Sequence, residues 1–105
     1  EGKEGLMADT YKKVRTGERA GSATAVQLPN IPAKLVQIKA LNDNAGNVYL
    51  GYSSAVTVAG GTTDTTTGFQ LDAGDTTGWI PIDSLNEFWM ICDNAGDDIT
   101  YMVLT

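Results

Sequence analysis

The side chains able to do chemistry in this chain are carboxylates and one thiol. Asp72 and Asp75 flank a Gly-containing turn, and Asp93, Asp97 and Asp98 crowd a second. Two carboxylates that face each other across a substrate hydrolyse glycosides, at about 5 Å for retention or about 6.5–9.5 Å for inversion. Acids set in turns meet solvent instead. The group at 93–98 also suggests a calcium loop. Calcium takes about six to eight oxygens, and the alternating acids and distal Glu of an EF-hand are missing. The sequence has no histidine, which removes the commonest general base and metal ligand. Cys92 is the only cysteine, so it has no partner for an intrachain disulfide or a zinc cluster. Among Phe88, Met90 and Ile91 it reads as a buried, inert thiol. Gly60-Gly61 lacks the Lys and the helix of a phosphate loop. No catalytic residue, metal site or cofactor is expected, and the chain reads as a non-enzyme.

Binding chemistry is better represented. Trp79, beside Pro81, is the aromatic best placed for exposure and for stacking on a sugar, whereas Trp89 lies in an apolar stretch and reads as core. Lys12, Lys13, Arg15 and Arg19 form a basic cluster. Every Lys and Arg lies at or before Lys39, and nine acids and no base follow. The net charge of -6 therefore divides into 7 - 4 = +3 for residues 1–39 and -9 for the rest. Such a dipole suits a basic segment that meets an acidic surface on a sister copy or a larger assembly. Nucleic acid is not an expected partner of the body, because phosphate contacts need positive charge and residues 40–105 carry none.

The elements that must position these groups are short. Residues 7–23 are polar, with Gly17, Gly21 and Ser22, and read as a basic extended arm with a brief strand around Tyr11–Arg15. Strand-like segments follow at 24–28, 34–41, 47–52, 55–58, 69–71, 79–82, 87–92 and 99–104. Val36, Ile38 and Ala40 share one face of the second of these. Pro81 places its own segment at a sheet edge or a strand end. Residues 83–86 form a turn with Asp83 as cap. The last two strands are apolar on both faces and belong in sheet centres. Strands spaced by about 8–12 residues, with no helical apolar stripe, mark a sandwich or barrel. The fold class is all-β: an antiparallel β-sandwich of about eight short strands, jelly-roll-like or immunoglobulin-like, over residues 24–105.

One turn occurs twice. Asp-Asn-Ala-Gly stands at 43–46 and at 93–96, each time between apolar strands. Asp43 and Asp93 suit the first position of a type I turn, and Gly46 and Gly96 suit a left-handed residue closing a bulge. The pattern predicts two β-hairpins.

At 105 residues the chain is one domain. Met7-Ala8-Asp9-Thr10 reads like a translation start, which makes residues 1–6 an expected non-native remnant. No apolar run reaches membrane-spanning length, and the charged first residues do not form a secretory signal.

The motifs in order are Asn47-Val48-Tyr49-Leu50-Gly51, then Gly68-Phe69-Gln70-Leu71-Asp72-Ala73-Gly74, then Ile82-Asp83-Ser84-Leu85, then the strands 87–92 and 100–104. Across residues 34–104 this series resembles a small domain of tailed-phage and prophage virion proteins, in which a V-Y-(V/I/L)-G strand leads to a G-(F/Y)-x-L-x-A-G segment. The resemblance implies a structural role in the virion: capsid decoration, head fibre or tail attachment. It brings no catalytic residues. It implies phage capsid or tail proteins as partners, a homo-oligomer (a trimer favoured), and the virion as location after synthesis in the bacterial cytoplasm. The basic arm departs from the pattern. A carbohydrate-binding β-sandwich module is the alternative reading.

Overall fold

The computed structural model describes residues 13–59 and 66–105. The expected remnant 1–6, the start of the expected arm with Lys12, and residues 60–65 lie outside the described residues. Eight strands form: β1 (Val14–Ala20), β2 (Val26–Gln27), β3 (Leu35–Ala40), β4 (Val48–Gly51), β5 (Phe69–Leu71), β6 (Ile80–Pro81), β7 (Trp89–Cys92) and β8 (Asp98–Leu104). They make two antiparallel sheets, ordered β1-β8-β3-β6 and β2-β7-β4-β5. The pairings β1 with β8, β2 with β7, β3 with β6 and β4 with β5 are nested. Successive nested pairs fall in alternate sheets, which is the jelly-roll order and not the immunoglobulin one.

The alternation seen in the sequence sets the core. Val36, Ile38 and Ala40 point inward from β3 and are fully buried, opposite Val103, Tyr101 and Ile99 of β8. Val48 and Leu50 of β4, with Met90 and Cys92 of β7, supply the facing layer, and Leu28, Leu71 and Leu85 close it. Each large aliphatic side chain removed from water this way contributes about 1.5–3 kcal/mol. β7 and β8 lie inside their sheets and Pro81 lies on an edge strand, as the sequence predicts.

Several local expectations are corrected. Residues 14–20, expected within a free arm, form the edge strand of their own sandwich, so the β-domain begins ahead of residue 24. Residues 55–58 are not a strand. They lie over the outer face of β4, where Val56 is buried beside the buried Tyr49, whose hydroxyl donates to the Ala59 carbonyl at 3.4 Å. The turn before β7 is a single 3-10 turn (Leu85–Glu87) capped by Ser84, not Asp83. That turn delays the strand start to Trp89, which is half-buried and outside the core.

The largest correction concerns the repeated turn. Residues 43–46 connect β3 of one sheet to β4 of the other, and 93–96 connect β7 back to β8. Neither is a hairpin, and neither Gly46 nor Gly96 is left-handed. The two glycines nevertheless differ. A Cβ on Gly46 falls 2.7 Å from the Asp93 Cβ and 2.8 Å from the Asn94 side-chain nitrogen, whereas one on Gly96 meets nothing within 4 Å. Gly46→Ala is therefore expected to cost about 1–3 kcal/mol, the range for overpacking. Gly96→Ala should stay within about 0.5 kcal/mol, as at an open surface site. Paired thermal melts check the contrast, and equal losses would contradict it.

Candidate assembly surface

Four of the six sheet-to-sheet crossings lie at one end, and that end is acidic. The crossings β1–β2, β3–β4, β5–β6 and β7–β8 carry or border Asp43, Asp72, Asp75, Asp93, Asp97 and Asp98. Backbone amides take up several of these carboxylates. Asp97, 1% exposed, accepts from Ala45 N at 2.8 Å, Gly46 N at 3.2 Å and Asn94 Nδ2 at 3.3 Å. Asp93 accepts from Asn47 N at 2.9 Å. Asn44 donates to the Asp98 carbonyl at 2.9 Å and accepts from Asp98 N at 2.8 Å. Asp98 also accepts from Gly21 N at 3.1 Å, and Cys92 N donates to Ser22 O at 2.9 Å. The repeated tetrapeptides thus form a clasp between three crossings. Among the described residues no cluster of acids has the grouping of a metal site.

The opposite end carries three bases, Lys13, Arg15 and Lys34, and two acids, Asp83 and Glu87, which line a neighbouring concavity with Lys34. The Lys13 and Thr105 backbones exchange hydrogen bonds at 3.0 and 2.9 Å, extending the β1–β8 pair. Lys13, Arg15 and Lys34 surround a shallow concavity of about 340 Å³ together with Pro32 and Thr105. Lys34 stands there because Lys34 N donates to Leu104 O at 2.7 Å. Arg19, on the same strand, lies toward the acidic end, its guanidinium donating to the Ala20 carbonyl at 3.2 Å. The four residues of the basic cluster therefore do not act together: Lys13 and Arg15 share a site, Arg19 is apart, and Lys12 is outside the described residues. The sequence reading missed Lys34, because only the β1–β8–β3 order brings it beside β1.

Trp79 directly precedes β6 and is 44% exposed. Ile80 packs on the core, so strand alternation turns Trp79 and Pro81 to the outer face. On that face a groove of about 580 Å³ is lined by Thr16, Glu18, Gln37, Lys39, Thr76, Thr100 and Met102 side chains. The Glu18 carboxyl is held above its ordinary value, chiefly by its hydrogen bond to Asp98, then by partial desolvation, and last by the like charges of Asp98 and Asp43. Cys92 is buried, as the sequence predicts, and burial pushes its thiol up. Compared with known proteins, the chain matches no family profile, no curated protein and no solved structure.

Proposed function

We propose that this chain is a non-enzymatic structural component of a tailed-phage virion, of the capsid-decoration or head-fibre type. The observation that carries the reading is the end-to-end charge polarity of the jelly roll. Lys13, Arg15 and Lys34 outnumber Asp83 and Glu87 at one end, and six of the nine acids after Lys39 gather at the crossings of the other. The basic end is a foot for an acidic surface of the particle, where charge pairs fix orientation and speed encounter more than they add affinity. Jelly rolls serve both as capsid and as lectin domains, so the fold accommodates the role without specifying it.

The test is made on particles released by the strain that encodes the chain. After density-gradient purification, peptide mass spectrometry should find the chain in the particle band, and high salt should strip it. A chain confined to the soluble fraction at all salt concentrations would remove the proposal.

A carbohydrate-binding module is the second reading, favoured by the exposed Trp79 beside the edge strand β6. Under it, glycans should quench tryptophan fluorescence, and Trp79→Ala should lower affinity by about 1–3 kcal/mol, the scale of a lost aromatic anchor. Quenching that survives Trp79→Ala would dismiss this site.

A further inference from the structure

The outer faces of the two sheets differ. Over the second, Val56 and Ala59 cover Tyr49. Over the first, Val14 and Met102 remain 63% and 38% exposed. Cross-strand rows run over this face with β8 in the middle of each. Val14, Leu104 and Leu35 stand opposite one another, and Pro81 extends the row beyond Leu35. Two residues along each strand, Met102 is flanked by Thr16 and Gln37. Two further, Thr100 is flanked by Glu18 on one side and Lys39 on the other.

This surface matches itself under a two-fold rotation about the direction of β8. The rotation exchanges the β1 side for the β3 side and keeps each row in place. It sets Val14 of one copy over Leu35 of the other, and Leu104 and Met102 over their own counterparts. It also sets Glu18 over Lys39, twice. We infer that a second copy of this chain docks face to face on this sheet, with the two-fold axis along β8. The inference rests on the reading of the chain as an assembly component and names that assembly's first contact.

The physical terms agree. Sheets stack about 10 Å apart, which leaves room for one interdigitated layer of side chains. The apolar row supplies area removed from water, and the reciprocal charges fix the register. Within its own chain Glu18 lies near the like charges of Asp98 and Asp43, and a lysine from a second copy puts attraction in place of that repulsion. The competing edge-to-edge contact, β1 against its copy about Gly17, opposes Arg15 to Arg19 and is disfavoured. The axis parallels the strands, so both basic ends point the same way and the pair has a double foot, whose second contact is intramolecular once the first is made.

Light scattering and sedimentation of the full chain over a range of concentrations test this. Twice the chain mass is expected. Glu18→Lys and Lys39→Glu should each weaken the dimer by about tenfold or more, since each opposes like charges twice. The double exchange should restore it to within about threefold, because the pairs are re-formed in reverse. Met102→Arg, with two cations on the axis, should give a monomer. Circular dichroism of each variant should match the parent, since all these side chains lie on the outer face. A monomer at every concentration, a trimer, or a dimer indifferent to the exchanges would overturn the inference. A monomer that is still found in purified particles sinks the two-fold contact alone. A charge-sensitive dimer missing from particles supports it and sinks the virion reading instead.

Discussion

Gly21→Ala is expected to destabilise this fold by about 3–5 kcal/mol. Gly21 lies where the β1–β2 crossing passes the β7–β8 crossing. A Cβ there falls 1.6 Å from the Asp97 carbonyl oxygen and 2.7 Å from the Cys92 sulfur. The carbonyl belongs to the main chain of a residue that is itself held at three acceptor contacts, so it has little room to withdraw. Relief requires the β1–β2 crossing to lift away. That breaks the Gly21 N to Asp98 bond and the Ser22 O to Cys92 N bond, and loosens the β1 edge. The summed loss is about 3–5 kcal/mol, at the upper end of single-residue effects. For a domain of this size that lowers Tm by roughly 12 °C or more. A melt of Gly21→Ala beside Gly96→Ala measures it. A shift below about 4 °C, the equivalent of roughly 1 kcal/mol or less, would mean that the crossings do not meet as closely as described.

Asp97→Ala carries the next largest effect. Its carboxylate is the one buried charged group of the described residues, and it accepts from two successive backbone amides and the Asn94 side chain. Removing it leaves the Ala45 and Gly46 N–H groups without their acceptor. An orphaned buried donor costs about 1–3 kcal/mol, so a total of roughly 3–4 kcal/mol is expected from the pair. Asp97→Asn keeps the shape but offers an amide donor to one of the two N–H groups, and about 1–2 kcal/mol is expected. Asp93→Ala, which loses one acceptor at an exposed site, should cost about 1 kcal/mol or less. Urea unfolding with unchanged m-values ranks the three. If Asp97→Ala and Asp93→Ala lose the same amount, water reaches the clasp and the buried reading fails.

The strands of the interior were legible because they alternate. Val36, Ile38 and Ala40 announce an inward face, and the two-sided apolar character of β7 and β8 announces central positions. β1 was not legible as a strand of the body. Both its faces are largely solvated, and Gly17 reads as a breaker. In the fold Gly17 is instead where the Tyr101 ring lies across the β1 edge. Sheet membership was also hidden. Asp-Asn-Ala-Gly between two strands has the local chemistry of a hairpin, but local chemistry does not say which sheet receives the next strand. That choice is made by the distant pairings of β8 with β3 and of β7 with β4. The basic cluster was read as to residue type but not as to place. Lys34 joins Lys13 and Arg15 across more than a dozen intervening positions, while Arg19, nearer in sequence, points to the other end.

The nested pairing also sets an order of events during synthesis. β4 and β5 can meet as soon as the ribosome has released them, and β3 with β6 and β2 with β7 become possible in turn. β1, the first of the described strands to be made, has no partner in its sheet until β8, the last of them, emerges. Closing such distant segments carries the largest loop entropy of the fold, and chains dominated by non-local pairing fold in milliseconds to seconds. Throughout that interval β1 is a solitary extended segment. Its two cations, Arg15 and Arg19, with Lys13 just before it, and its lack of an apolar stripe oppose pairing with the same segment of a neighbouring nascent chain.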